Sequence, residues 1–126
     1  MSPNGQLVSR FAVGPARAVA LRGDTVAVLL RGRLEIYSAE TGLLTHSWRV
    51  PAAARSVDLQ YGIAVLAAGG DVFAVNVGTG RTARLLHVRG RAAAQIDSPG
   101  AVVQFNVGTH GYLRLIPMST IEARTR

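Results

Sequence analysis

The sequence contains no cysteine and no lysine, and it has only seven acidic residues against fourteen arginines. Without cysteine there is no disulfide framework and no thiolate metal site. No run approaches 18 uninterrupted apolar residues, and the first six residues carry no basic or apolar leader pattern, so we expect neither a targeting signal nor membrane insertion. A protein without cysteine is compatible with either redox compartment, and the compartment stays open.

The chain has 126 residues and 13.3 kDa, which is enough for one domain with a modest core and excludes a multidomain enzyme. Hydrophobic residues make up 48% and charged residues 17%, so the chain should fold rather than remain disordered. The net charge of +7 comes from arginines spread from Arg10 to Arg126, with no aromatic residues interleaved in a basic stretch. We therefore expect no nucleic-acid interface.

An internal repeat is the most informative feature of the sequence. A shift of 38 residues places Ala16–Leu21 over Ala54–Leu59, Gly32 over Gly70, and the pair Thr41-Gly42 over Thr79-Gly80. A third, degenerate copy follows, with small insertions near Pro99 and His110, and it stops one strand early. Self-similarity at this period is typical of repeat folds.

Within each copy the apolar runs are short, bounded by glycine, and apolar on both faces, as expected for strands between two neighbouring sheets. The sequence predicts four antiparallel strands in the first copy, at 17–22, 25–30, 34–38 and 43–50. The second copy should have strands at 55–60, 62–68, 72–76 and 81–88. Four short strands in a repeat of about 40 residues predict an all-β fold made of β-propeller blades.

The segment 7–13 is similar to the fourth strands and is predicted to be an orphan outer strand. The whole chain, 1–126, is thus predicted to be a single partial β-propeller domain, with blades at 16–50 and 54–88 and an incomplete last blade at 92–126. We expect almost no helix, at most a short turn near Ser119 to Ala123. Three blades should form an open arc rather than a closed ring.

The stretches Gly32–Gly42 and Asp71–Gly80 resemble the unit of a strand, a Thr-Gly turn and an outer strand found in bacterial WD-like, YVTN and quinoprotein-like propellers. The resemblance covers nearly the whole chain and implies the C-terminal blades of a larger bacterial propeller. The motif specifies a turn and not a function. No Trp-Asp dipeptide closes a repeat and no tryptophan-docking motif is present, so the resemblance implies no quinone and no other cofactor.

The candidate ligand-binding residues lie on or beside the predicted innermost strands. Asp58 and Gln60 alternate with apolar residues, and Gln95 and Asp97 occupy the matching positions of the last copy. Period-two alternation predicts that this polar face lines the central channel, either as a solvated wall or as a site for a small polar ligand or a peptide end. The neighbours at the loop edges complete the set: Arg22, Tyr61 and Gln104.

For the histidines and the aromatic residues, the sequence favours structural roles. His46 and His87 fall on outer strands of different repeats and His110 in a turn, which is poor spacing for a metal site. We expect Trp48 and Phe11 to cover blade edges or to pack between blades. No serine elbow and no phosphate-binding loop occurs, so the sequence predicts no catalytic residue and no enzyme.

The sequence favours a non-enzymatic β-propeller module that binds a protein or peptide partner through its loops or its channel mouth. The alternative is a fragment of a propeller enzyme, an oxidoreductase or hydrolase whose catalytic residues lie outside this chain. Apolar residues on the two end blades would also promote self-association.

Overall fold

A computed structural model describes residues 15–126, which form three antiparallel sheets and one short helix. The first sheet has the order β1-β2-β3-β4, the second β5-β6-β7-β8 and the third β11-β10-β9. The elements are β1 (Ala18–Arg22), β2 (Thr25–Leu30), β3 (Arg33–Ser38), β4 (Leu44–Arg49), β5 (Ser56–Gln60), β6 (Ile63–Ala68), β7 (Asp71–Asn76), β8 (Thr82–His87), β9 (Ala92–Asp97), β10 (Gly100–Val107), β11 (His110–Pro117) and α1 (Met118–Arg124).

The second sheet repeats the first at the predicted shift of 38 residues, which carries both ends of each strand onto the ends of its counterpart. All eight strands predicted for these two copies are confirmed, with ends that differ by at most one residue. The third copy forms three strands and is followed by a helix where a fourth strand would stand. The predicted orphan strand 7–13, with Phe11, lies outside the described residues.

Tight hairpins join the strands because glycine supplies the backbone conformation that such turns need. In the turn between β5 and β6, Tyr61 and Gly62 both have positive φ, at 50° and 74°. This pair of left-handed residues matches the twist of a two-residue hairpin. Positive φ is uncommon for tyrosine, and Tyr61 is 70% exposed at this turn.

Two apolar cores lie on opposite faces of the second sheet. Leu66 and Val75 face the first sheet, together with Leu29 and Leu34. The opposite face of the second sheet packs against the third sheet, and Ile121 of α1 joins that core. Because the second sheet is covered on both sides, every residue of β6 is buried, as the two-sided apolar runs predicted.

Trp48 joins the first sheet to the second. Its side chain on β4 packs against the core between these sheets, and its Nε1 donates a hydrogen bond of 2.7 Å to the carbonyl oxygen of Val77. The ring also lies against Gly80 in the turn between β7 and β8, so close that a Cβ at position 80 would clash with it. The predicted packing role of Trp48 between repeats is confirmed.

The outward faces of the first and third sheets expose apolar side chains. Val19 and Leu21 on β1 are 60% and 64% exposed, and Leu113 and Leu115 on β11 are 74% and 57% exposed. Val102 on β10 is paired with Leu115 and is also exposed. The two end sheets thus present the uncovered apolar surface that the sequence predicted.

We expect Gly80→Ala to destabilise the fold by roughly 2–4 kcal/mol, because alanine would meet both the strain of a φ near +79° and the Trp48 ring. The matched control is Gly23→Ala, at φ +60° with no atom within 4 Å of the new Cβ; strain alone should cost about 1 kcal/mol. Urea unfolding of both variants measures the difference. Equal losses would contradict the proposed contact, and a Trp48→Leu background should shrink the larger loss.

Candidate functional site

The edge strands that begin the three sheets, β1, β5 and β9 (the inner strands), lie side by side, so that polar residues at their carboxyl ends come together. Arg22, the last residue of β1, donates from Nε to the carbonyl oxygen of Leu59 at 3.2 Å. One step further, Asp58 on β5 accepts a 2.8 Å hydrogen bond at Oδ2 from the backbone N–H of Ile96 on β9. Side chains therefore tie each inner strand to the next.

A cleft of about 410 Å³ opens at this end of the inner strands. Four of the seven predicted site residues line it: Arg22, Asp58, Gln95 and Asp97. Apolar and backbone surface from the third sheet completes the wall, contributed by Ile96, Pro99, Gly100, Val102 and Leu115. The structure thus brings Arg22 and Asp97, which lie 75 positions apart in the sequence, to one cleft.

The other three predicted residues lie apart from this cleft. Tyr61 is in the turn after β5 and borders a smaller depression, of about 250 Å³, that Arg22 also lines. Gln104 is exposed near the middle of β10, beside Leu113. Gln60 is only 6% exposed, and its Oε1 has no hydrogen-bond partner among the residues that the structure describes.

The burial of Gln60 differs from the expectation that its side chain lines an open channel. Along a strand, side chains alternate between the two faces of the sheet. Both faces of the second sheet are covered by neighbouring sheets. Alternation therefore directs Gln60 into the space between sheets, whereas Gln95 and Asp97 lie on the uncovered face of the third sheet and are exposed.

The hydrogen bonds divide the cleft residues into structural and free groups. Both carboxylate oxygens of Asp58 are occupied, Oδ1 by the N–H of Leu59 at 3.0 Å and Oδ2 by that of Ile96. Within residues 15–126, the terminal nitrogens of Arg22, the Gln95 amide and Oδ2 of Asp97 have no hydrogen-bond partner. These free groups offer one cation, one amide and one carboxylate to a ligand.

Among residues 15–126, the lining of the cleft contains no serine, threonine, cysteine or histidine. It therefore holds neither a hydroxyl or thiol nucleophile nor an imidazole base. Its mixture of donors, acceptors and apolar wall suits the recognition of a polar chain by hydrogen bonds.

Titratable side chains elsewhere in the described residues make local contacts. His87 and Arg84 on β8 flank Asp71, at 2.6 Å and 3.7 Å from its Oδ1. Burial raises the pKa of Tyr37, and the hydrogen bond and charge of Glu35 raise that pKa further. From residue 15 onward, no group of three or more histidine and acidic side chains is placed to hold a metal ion.

A second cleft, of about 510 Å³, lies between α1 and the second sheet and was not predicted. Asn76 on β7 reaches across to the end of the helix, where its Nδ2 donates to the carbonyl oxygen of Thr125 at 3.2 Å. Glu122 and Arg126 supply charge to its wall. The sequence predicts at most a short turn near Ser119 to Ala123. Such a turn gives no reason to expect a helix against the second sheet.

No family model matches the chain, and no curated protein matches it in sequence. Two solved structures with a similar fold are computationally designed proteins. The Ika4 protein superposes with a TM-score of 0.71 at 18% identity, over 93% of this chain and 76% of Ika4. The Ika8 protein gives 0.67 at 19% identity, over 84% of this chain and 34% of Ika8. At this identity the likeness shows the arrangement of the sheets.

The helix of the described region is too short and too polar to cross a membrane.

We expect Asp58→Ala to destabilise the protein by about 1–3 kcal/mol, because two backbone N–H groups at the junction of the second and third sheets lose their acceptor. The charge-matched control is Asp97→Ala, where only the exposed N–H of Ser98 loses a partner. That control should cost less than about 0.5 kcal/mol. Similar losses for the two variants in urea unfolding would contradict the structural role of Asp58.

Proposed function

We propose that the three sheets are consecutive blades of a β-propeller, and that the chain is a non-enzymatic module that binds a peptide or a protein segment at the ends of its inner strands. The observation that carries the proposal is the convergence of Arg22, Asp58, Gln95 and Asp97 on one cleft.

Three features support the blade assignment. Each sheet is an antiparallel meander in chain order, and the strands β1, β5 and β9 that begin the sheets are the ones that lie side by side. The chain then passes from the outer strand of one sheet to the inner strand of the next, over the residues between β4 and β5 and between β8 and β9. This path is the one that blades follow around a propeller axis. The sequence resemblance to bacterial WD-like, YVTN and quinoprotein-like repeats agrees with it.

The chemistry of the cleft suits a peptide better than a small charged metabolite. A peptide backbone presents alternating N–H and C=O groups, which the free oxygen of Asp97 and the amide of Gln95 can pair. The guanidinium of Arg22 suits a carboxylate, either an acidic side chain or a free carboxyl end. The net charge of +7 attracts acidic partners from a distance. An acidic peptide segment is therefore the partner that these groups fit.

A peptide-display selection against the full chain tests this function. Random peptides should yield sequences that bear an acidic residue or that require a free carboxyl end. Arg22→Gln should weaken the selected peptides by roughly ten-fold or more, since a hydrogen bond to a charged group contributes about 1.5–3 kcal/mol.

The charge-matched control is Arg31→Gln, in the turn between β2 and β3 at the opposite end of the strands. It should leave the affinity within about two-fold, because screening removes most of the effect of a distant exposed charge. Failure to enrich any peptide, or an equal loss with the two variants, would contradict the proposal.

A further inference from the structure

Arginines that are spread along the sequence gather at one end of the described strands, the end at which the inner strands β1, β5 and β9 begin. Because neighbouring strands are antiparallel, the starts of the first and third strands of a sheet lie beside the ends of its second and fourth strands. This basic end carries seven arginines: Arg17, Arg31, Arg33, Arg49, Arg55, Arg89 and Arg91.

A side-chain hydrogen bond and a shared cleft show that the three inner strands begin at the same end. Just before β1, Arg17 donates from Nη1 to the carbonyl oxygen of Ala54, which precedes β5, at 3.1 Å. A cleft of about 420 Å³ joins the starts of β5 and β9, and Arg55 and Arg91 both line it. The arginines of all three sheets therefore share one end of the stack.

Most of this positive charge is unpaired. Arg17 and Arg33 donate hydrogen bonds to neighbouring oxygen atoms. Within residues 15–126, the other five side chains are exposed and have neither a hydrogen bond nor an ion pair: Arg31, Arg49, Arg55, Arg89 and Arg91.

Acidic side chains lie mainly towards the opposite end. There they occupy turns, the cleft of Arg22 and the helix α1: Asp24, Glu40, Asp58, Asp97 and Glu122. At the basic end, Asp71 begins β7, and its Oδ1 lies 2.6 Å from His87 and 3.7 Å from Arg84. Glu35, the third residue of β3, accepts a hydrogen bond from the Tyr37 hydroxyl at 3.0 Å. The exposed arginines therefore form a concentrated positive field.

The hairpin of β10 and β11 projects beyond the basic end. Strand β9 pairs with β10 only as far as Phe105, whereas β11 pairs with β10 as far as Val107. Two further extended residues add about 7 Å. The segment 106–112 has no arginine, lysine or acidic residue, and it exposes Val107 and Tyr112, at 57% and 46%. A valine and a tyrosine therefore stand in front of the arginines.

We propose that the basic end binds the surface of a lipid bilayer that contains anionic lipids. The arginines contact the phosphate and carboxylate groups of the lipids, and the β10–β11 hairpin lies within the headgroup layer. This contact involves no membrane-spanning element. The cleft of Arg22, at the other end of the inner strands, then faces away from the bilayer and stays open to a peptide.

The number and the position of the arginines fit such a surface. Clusters of about four to eight basic residues are typical of segments that bind anionic lipids, and the five unpaired arginines lie in this range. Their attraction to lipid charges falls off within about 8 Å at physiological salt. An apolar surface enters the headgroup region by about 5–10 Å, so a hairpin that projects about 7 Å still allows the arginines behind it to reach the lipid charges.

Nucleic acid fits the same charges less well. Proteins that bind single strands combine a basic groove with aromatic side chains on which the bases stack. Trp48, which precedes Arg49, instead packs against the core between the first and second sheets. Among residues 15–126, Tyr112 is the exposed aromatic side chain at the basic end, and its ring stacks on Phe105 with 5.6 Å between the centroids. A tyrosine at the edge of an apolar surface is typical of membrane interfaces.

Co-sedimentation of the full chain with vesicles tests the proposal. We expect binding to phosphatidylcholine vesicles that contain about one-third phosphatidylserine, no binding to phosphatidylcholine alone, and a loss of binding as salt is raised. Equal binding to the two kinds of vesicle, or binding to neither, would overturn the proposal. Binding to a single-stranded oligonucleotide but not to the anionic vesicles would also overturn it, in favour of a nucleic-acid partner.

Arg55→Gln combined with Arg91→Gln should weaken vesicle binding by roughly ten-fold or more, because two basic side chains leave the anionic surface. The charge-matched control combines Arg81→Gln with Arg126→Gln, two exposed arginines at the opposite end. This control should change binding by less than about two-fold, since screening removes the effect of distant charges. Equal weakening by the two pairs would show that net charge alone matters, which contradicts a defined binding surface.

Because the chain contains no cysteine, an environment-sensitive dye can be attached at one chosen position to locate the hairpin. The two ends of β10 offer a matched pair, Val107→Cys at the basic end and Ser98→Cys at the opposite end. Anionic vesicles should shift the emission of the dye at position 107 to the blue and leave the dye at position 98 unchanged. A shift at position 98, or none at position 107, would overturn the placement of the hairpin in the headgroup layer.

Vesicle binding and peptide binding are measured on different variants, so the two proposals can fail separately. A chain that binds the selected peptides but no anionic vesicles overturns the membrane contact alone. A chain that binds the vesicles but enriches no peptide overturns the proposed peptide-binding function alone.

Discussion

The rest of the architecture depends on the two apolar faces of the second sheet. Every residue of β6 is buried, and Leu66 and Val65 on this strand belong to different cores. A sheet with two such faces cannot be stable alone, because either face would leave a large apolar surface in water. It requires a sheet on each side. The first and third sheets cover the two faces of the second sheet. Their own outward faces then carry exposed apolar side chains.

Features encoded over a few residues could be predicted from the sequence. The strands of the first two sheets follow from short apolar runs between glycine turns, and their ends were predicted to within one residue. The third sheet follows less closely, since insertions near Pro99 and His110 lengthen β10 and β11 to eight residues each. The helix α1 gave only a weak signal, because its one fully buried side chain, Ile121, packs against residues of other sheets.

The candidate site, too, could be predicted from the sequence only in part. That Asp58, Gln95 and Asp97 share one end of the fold follows from their matching positions in the repeat. The repeat does not show which of these side chains is free to bind a ligand, because that depends on neighbours distant in sequence. Oδ2 of Asp58 accepts a hydrogen bond from the backbone N–H of Ile96, and Gln60 is buried. Oδ2 of Asp97 is left free because, within residues 15–126, no further sheet lies beside β9. The uncovered face of the third sheet and the free groups of the cleft therefore have one cause.

The uncovered apolar faces of the first and third sheets would favour indiscriminate aggregation. The net charge of the chain opposes it. At +7, two copies repel each other at long range, and at physiological salt this repulsion is screened beyond about 8 Å. Loose contacts keep like charges near one another and bury little apolar area. A contact that covers the exposed faces of Leu113 and Val19 closely would bury apolar area to set against the same repulsion, whereas a loose contact would not. The positive charge of the chain therefore opposes loose contacts between the exposed sheet faces more than closely fitted ones.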